Sequence, residues 1–121
     1  MVSVLFDTNI LIDYLNGVEL AKIELGRYAD KAISPITWME VMVGATPDTE
    51  AAMKRFLSTF VSLPVDERVA SVAVALRKKH CVKLPDAIVW ATAQVNKRIL
   101  VTRDTKDFFQ DEAGVYIPYR I

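Results

Sequence analysis

The sequence predicts an α/β domain built on a mainly parallel sheet of four or five strands. Several short, continuous apolar runs rich in β-branched residues are typical of buried strands. Longer segments with apolar residues at helical spacing lie between these runs and predict the connecting helices. Because parallel strands of one sheet are joined by right-handed crossovers, this alternation favours a single sheet wound by helices.

Length and composition are those of one globular domain covering residues 1–121. The chain is 52% apolar, and its mean hydropathy of +0.22 argues against disorder. No apolar run approaches the roughly 20 residues of a membrane helix. Residues 2–6 are too short for a signal peptide and lack its basic flank. We therefore expect a cytoplasmic protein.

The first elements follow from apolar spacing. Residues 2–6 form a continuous apolar run and predict a buried strand. A helix is predicted from residue 10 to its C-cap at Gly17, and a second helix over residues 18–30. Residues 32–34 predict the next short strand.

The middle of the chain alternates in the same way. A helix is predicted over residues 37–43, and another begins with Thr46 as its N-cap and Pro47 at its first helical position. Residues 61–65 predict a short extended segment. Asp66 is the predicted N-cap of the helix that follows it.

The last third contains the most apolar helix and the clearest strand. Residues 85–86 open a helix whose continuation, 87–95, is apolar nearly all round, which is typical of a centrally buried helix. Residues 99–102 predict a strand, residues 104–109 a short helical turn and residues 115–117 a final strand.

Acidic residues recur where the predicted strands end. Asp7 follows the first strand, Asp104 follows the strand over residues 99–101, and Asp107 comes one helical turn later. Glu40 lies on the helix after the second strand, and Asp86 lies in the first turn of the apolar helix. The carboxyl ends of parallel strands share one edge of a sheet, where ligands bind. We therefore expect these acids to converge there.

Helix capping is the alternative for each acid taken singly. Asp7 can cap the following helix, Glu40 can form a capping box with Thr37, and Asp104 can cap the last short helix. Asp86 lies where the helix dipole favours a carboxylate. Capping does not explain why all of these acids would share one edge.

Converging carboxylates repel one another and raise each other's pKa values unless a cation neutralises them. The chain has one histidine and one cysteine, so a zinc-type ligand set is absent, and oxygen ligands suit Mg²⁺ or Mn²⁺. Such an ion can activate water and orient a phosphodiester. Several polar side chains, each with an alternative role in a cap or turn, are candidates to hydrogen-bond the acids: Thr8, Asn9, Ser34, Thr37 and Thr102.

Four stretches of the chain resemble a known family. They are residues 5–13 (LFDTNILID), 34–41 (SPITWMEV), 84–93 (LPDAIVWATA) and 100–108 (LVTRDTKDF), in the family's order. On these stretches the chain resembles the PIN-domain ribonucleases, and most closely the VapC-like toxins of bacterial and archaeal toxin–antitoxin pairs.

The resemblance implies a three-layer α/β/α domain whose acids bind Mg²⁺ or Mn²⁺ and hydrolyse RNA. Carried over by position, Asp7, Glu40 and Asp86 match the family's first three acids. Asp104 and Asp107 both fall in the closing motif. We favour Asp104 as the fourth catalytic acid because it is nearer the strand end, with Asp107 as a further metal ligand or a supporting residue.

The resemblance also implies supporting residues and partners. Asn9 and Thr102 match the motif's polar supports, with Thr8 and Thr37 beside the acids. Asp13 matches the opening stretch but falls on the helix, so we expect a solvated or capping acid. The family implies a homodimer and a cognate antitoxin whose tail covers the site.

Charge and motif order bear on the substrate and on rival functions. Fifteen basic and fifteen acidic residues cancel, so RNA binding requires a local basic surface, for which Arg103 and Lys106 are the best candidates. A signalling receiver domain would need paired acids after the first strand, whereas Asp7 stands alone. An aspartyl phosphatase would need an acid where Asn9 stands. A catalytically inactive binding module with the same fold is the remaining alternative, and the intact acid set argues against it.

Overall fold

The computed structural model describes residues 2–106 and 113–120. Its described strands form one sheet with the spatial order β3-β2-β1-β4-β5, and every neighbouring pair is parallel. The strands are β1 Ser3–Phe6, β2 Asp30–Ile33, β3 Val61–Ser62, β4 Ile99–Val101 and β5 Val115–Tyr116. The helices are α1 Thr8–Leu15, α2 Glu19–Gly26, α3 Pro35–Val43, α4 Glu50–Leu57, α5 Glu67–His80 and α6 Leu84–Val95.

Both faces of the sheet are covered at the central strand β1, where Val4, Leu5 and Phe6 are fully buried, which explains why this strand is apolar without alternation. In β1, Leu5 belongs to a core that includes side chains of α5 and α6, while Val4 and Phe6 belong to a second core with side chains of α1, α2 and α4. Successive strand residues point to opposite faces, so this division is the one that period 2 requires. The predicted α/β fold with three α/β/α layers is confirmed.

The order of the strands puts a crevice at the end of β1. The chain winds from β1 to β2 and β3 on one side, and β4 and β5 lie on the other, so the winding reverses between β1 and β4. Phe6 is in register with Val101, and the Asp7 N–H donates to the Val101 carbonyl at 2.9 Å. Asp7 and Thr102 therefore leave the sheet side by side at its switch point, where open α/β sheets bind their ligands.

Of two predicted helix starts in the middle of the chain, one needs correction and one is confirmed. The helix predicted from Thr46 and Pro47 begins at Glu50. Thr46 instead closes a turn with Thr49, because the Thr46 N–H donates to the Thr49 hydroxyl at 2.9 Å. The prediction for Asp66 is confirmed, since its carboxylate accepts from the Val69 N–H at 2.9 Å and caps α5.

Other elements are shorter than predicted. The second helix ends at Gly26 rather than residue 30, because β2 starts at Asp30 and pairs with β1. In the segment 61–65, β3 covers Val61 and Ser62, and the Leu63 N–H adds one further bond to the Ile33 carbonyl of β2 at 3.1 Å. Residues 104–106 are not helical, and the remainder of the predicted turn over 104–109 lies outside the described residues.

None of the helices in the described part of the chain combines the length and hydropathy needed to cross a membrane.

Candidate active site

Asp7 lies at the junction of β1 and α1 and uses its two carboxylate oxygens differently. Its extended backbone (φ −72°, ψ 155°) makes it the N-cap of α1, and Oδ1 accepts from the Thr8 N–H at 2.8 Å. Oδ2 accepts from the Thr102 hydroxyl at 2.8 Å and from the Asn9 amide at 3.3 Å. Asp7 therefore caps α1, as the capping alternative predicted, and it also bonds to residues that follow β1 and β4.

The surroundings of Asp7 oppose its ionisation. The residue is only 4% exposed, and burial raises the pKa of Asp7 from the usual 3.8 to about 6. This net value already includes the hydrogen bonds from Thr102 and Thr8, which favour the carboxylate, and the negative charges of Asp104 and Glu40, which oppose it. Three acids from three separate segments of the chain thus share one electrostatic neighbourhood.

Glu40 is on α3 and does not form the capping box with Thr37 that the sequence allows. Ser34 is the N-cap of α3, where its hydroxyl accepts from the Ile36 N–H at 3.1 Å. The Glu40 carboxylate instead accepts from the Thr8 hydroxyl at 2.6 Å, and the Thr37 hydroxyl lies 3.1 Å from the same Thr8 oxygen. Thr8 and Thr37 therefore support Glu40, while Ser34 has the ordinary capping role.

Asp104 follows β4 and is held by a local turn. Its backbone N–H donates to the Thr102 hydroxyl at 3.1 Å, and its Oδ1 accepts from the Lys106 N–H at 2.9 Å. The side chain is half-buried, and its charge raises the pKa of Asp7. Asp104 thus combines a turn-forming role with proximity to Asp7. Asp107 lies outside the described residues.

Asp86 lies in the first turn of α6, directly after Pro85, and is half-buried. Helix α6 packs against α3, which carries Glu40, and against α5. Across the described ranges, no three His, Cys, Asp or Glu side chains are grouped so that they could hold a metal ion. The expected convergence is therefore incomplete: Asp7, Glu40 and Asp104 interact, but the four acids do not form a ready-made metal cluster.

The donor set nevertheless fits a hard divalent cation. Mg²⁺ binds proteins through one or two carboxylates and keeps several of its waters, so it does not require a closed cage of acids. Asp7, Glu40 and Asp104 offer carboxylate oxygens whose mutual repulsion such a cation would relieve.

A basic rim borders the acids. The cavity next to Asp104 has a volume of about 470 Å³. Its lining is polar and includes the three cations Arg103, Lys106 and Arg120. The other lining residues are Asn9, Asp104 and Thr105. Arg103 and Lys106 were predicted from the sequence, whereas Arg120 was missed. The signal for Arg120 is its place just beyond β5, whose carboxyl end lies at the same edge as that of β4.

The expectation of a solvated or capping Asp13 is wrong. Asp13 is 5% exposed, and its carboxylate forms a two-point ion pair with Arg103, through Nε and through Nη2, the latter at 3.0 Å. The Tyr119 hydroxyl donates to the same carboxylate at 2.8 Å. Asp13 lies three residues after the buried Ile10 on α1, which puts both on the inner face of the helix.

Fold and site together define an α/β domain that carries an acidic site at the switch point of a parallel sheet. The PIN domain family matches residues 4–113, and the chain belongs to this family. The comparison with curated proteins gives no match.

Solved structures agree with this assignment. A chain of a toxin–antitoxin complex from Klebsiella pneumoniae is 49% identical, with a TM-score of 0.94 over 98% of this chain and 100% of that chain. FitAcB from Neisseria gonorrhoeae is similar at 25% identity and a TM-score of 0.78, covering 98% and 99% of the two chains. VapBC-5 from Mycobacterium tuberculosis is 26% identical with a TM-score of 0.67, covering all of both chains. The expected resemblance to VapC-like PIN-domain toxins is confirmed.

Proposed function

We propose that the protein is an Mg²⁺- or Mn²⁺-dependent endoribonuclease that hydrolyses RNA phosphodiester bonds, and that it is the toxin of a toxin–antitoxin pair. The observation that carries the proposal is the buried carboxylate of Asp7, with a pKa of about 6, beside the acids Asp104 and Glu40. Such a carboxylate gains most from a bound cation. PIN-domain toxins of the VapC type are generally nucleases, which supports a hydrolase.

In this proposal Asp7, Glu40, Asp86 and Asp104 are the catalytic and metal-binding acids, with Asp107 as a further ligand. When bound, Mg²⁺ supplies a Lewis acid and a water of lowered pKa. The protein's own part is orientation. Thr102 and Asn9 fix the carboxylate of Asp7. Thr8 fixes the carboxylate of Glu40, and Thr37 lies beside Thr8. The proposed supporting residues are therefore Thr8, Asn9, Thr37 and Thr102.

The substrate is held by the basic rim. In this proposal Arg103 and Lys106 contact the phosphates that flank the bond to be cleaved, which is supported by their position in the lining of the cavity beside Asp104. Because the Arg103 guanidinium is paired with Asp13, its position is fixed before RNA arrives.

The proposed partners are a cognate antitoxin and a second copy of the chain. The relative that is 49% identical belongs to a toxin–antitoxin complex, which supports an antitoxin partner. An antitoxin arginine could neutralise Asp7 and its neighbours in place of the metal, since arginine pairs strongly with carboxylates. We place this pairing, and the ribonuclease itself, in the cytoplasm.

The test is cleavage of a fluorogenic RNA oligonucleotide by the metal-free protein after addition of Mg²⁺ or Mn²⁺. Asp7→Asn and Asp86→Asn should fold and lose cleavage, while Asp48→Asn, which removes an exposed carboxylate, should retain it. A DNA oligonucleotide of the same sequence tests the preference for RNA. Full activity in EDTA, or in either active-site variant, would contradict the mechanism, and RNA binding without cleavage would indicate an inactive module.

A further inference from the structure

We propose that Asp13 is a positioning residue of the active site: by clamping Arg103 it fixes Asn9, and thereby the carboxylate of Asp7. The inference rests on the proposed function, because it assigns Asp13 to the same site. Asp13 lies at the end of the first matching stretch, but the sequence offers no reason to place it in the active site.

The clamp joins three separate segments of the chain. Asp13 is on α1, Arg103 follows β4, and Tyr119 follows β5, and both Asp13 and Tyr119 are more than nine-tenths buried. Both oxygens of Asp13 bond to the guanidinium, and Oδ2 also accepts from the tyrosine hydroxyl at 2.8 Å. Two-point pairs of this kind fix direction as well as distance. The contact raises the pKa of Arg103, so the guanidinium stays charged.

Arg103 makes two kinds of contact with α1, one through its side chain and one through its backbone. Its guanidinium holds Asp13, while its backbone N–H donates to the Asn9 side-chain oxygen at 3.3 Å. Asn9 and Asp13 are four residues apart on α1, which places them on one face, one turn from each other. The side chain of Arg103 therefore sets the position from which its own backbone contacts Asn9.

Asn9 passes this orientation to the active site. With its oxygen directed at the Arg103 backbone, its amide nitrogen donates to Asp7 Oδ2 at 3.3 Å and to the Thr102 hydroxyl at 3.2 Å. Bonds of this length are near the upper limit for hydrogen bonds, so a small displacement of the Arg103 backbone removes them. Loss of the clamp should therefore disturb the Asp7 carboxylate without touching it.

The first arm of the test needs neither metal nor RNA. In the NMR spectrum of the metal-free protein, the side-chain amide of Asn9 is assigned by its loss in Asn9→Ala. Asp13→Asn and Arg103→Lys should shift this resonance and speed its hydrogen exchange, because lysine cannot reproduce the two-point contact. Asp48→Asn, at an exposed site, is the control. If the resonance and the hydrogen exchange of the Asn9 amide are unchanged in folded Asp13→Asn or folded Arg103→Lys protein, the inference is overturned.

The second arm measures Mn²⁺ binding by electron paramagnetic resonance and the Mg²⁺ concentration for half-maximal RNA cleavage. Supporting residues of metal sites typically contribute 10–100-fold, so we expect Asp13→Asn to weaken Mn²⁺ binding by about tenfold. If Asp13 acts through Asn9, the double variant Asp13→Asn/Asn9→Ala should bind no more weakly than Asn9→Ala alone.

The outcomes separate the two proposals. Lower thermal stability with unchanged Mn²⁺ binding, or losses that multiply in the double variant, would show that Asp13 only supports the fold. If the wild type itself neither binds Mn²⁺ nor cleaves RNA, the proposed function fails, and the Asn9 resonance still decides whether the clamp positions that side chain.

Discussion

Replacing Asp7 by asparagine should raise the free energy of unfolding of the metal-free protein relative to wild type, by an amount that grows as the pH rises. The pKa of Asp7 is raised from 3.8 to about 6, chiefly by burial, so this carboxyl ionises more readily after unfolding than before it. The resulting destabilisation is absent well below pH 3.8, grows as the pH rises to about 6 and is complete above that. At about 1.4 kcal/mol per pKa unit, the full effect is about 3 kcal/mol.

Part of this gain is offset in the variant. Asparagine can still accept from the Thr8 N–H, but its NH₂ group would face the Asn9 amide and the Thr102 hydroxyl, which now donate to Asp7. Losing these bonds costs about 1–2 kcal/mol. Their preference for the ionised carboxylate is already contained in the net pKa of about 6. The pH dependence of the difference between variant and wild type therefore isolates the ionisation.

The assay is urea unfolding in EDTA across this pH range. The unfolding free energy of Asp7→Asn, relative to wild type, should rise by about 2 kcal/mol between about pH 4 and pH 7, most of the full effect. Asp48→Asn, which removes an exposed carboxylate, is the matched control and should show no such rise. Added Mg²⁺ should then stabilise the wild type more than Asp7→Asn. A flat or falling difference would refute the assignment of a buried, hard-to-ionise carboxyl.

Three further predictions concern the hydroxyl that supports Glu40, the basic rim of the cavity and the hydrophobic core. Thr8→Val removes the 2.6 Å bond to Glu40 and should lower cleavage about tenfold, measured at saturating Mg²⁺; equal rates would show that Glu40 needs no such support. Lys106→Ala should raise KM for RNA and flatten its dependence on salt, and an unchanged salt slope would place Lys106 outside the RNA path. Leu5→Ala, at a fully buried position of the central strand, should reduce the free energy of unfolding by about 2–5 kcal/mol in urea, and a loss under about 1 kcal/mol would contradict close packing there.

The sheet and its functional edge could be predicted from the sequence because they depend on short-range patterns. The apolar runs around Leu5 and Leu100 mark β1 and β4, and parallel pairing brings the residues after both strands to one edge. Asp7 and Thr102 meet there at 2.8 Å. Position along the strands was thus enough to foresee this contact.

Caps were harder to predict because nearby hydroxyls compete for the same role. Ser34 followed by Pro35 starts a helix, as a Ser-Pro pair favours, and this leaves Thr37 and Glu40 for other contacts. Thr46 followed by a proline presents a similar signal, yet its neighbour Thr49 closes a turn first. Which hydroxyl prevails depends on packing, which local sequence does not report.

The role of Asp13 was inaccessible from local pattern. Its partners Arg103 and Tyr119 lie 90 and 106 residues further along the chain. Helical spacing shows which face of α1 Asp13 occupies. Only the tertiary structure shows that the Arg103 guanidinium and the Tyr119 hydroxyl contact that face. Arg103 was accordingly predicted as an RNA contact without its clamp.

The most direct test of the central claim is the equilibrium binding of Mn²⁺ to the metal-free protein, followed by electron paramagnetic resonance at about pH 8, where Asp7 is ionised. The wild type should bind Mn²⁺ and release it to competing Mg²⁺, and Asp7→Asn should bind it at least about tenfold more weakly. Equal binding by wild type and Asp7→Asn, or none by the wild type, would contradict the account.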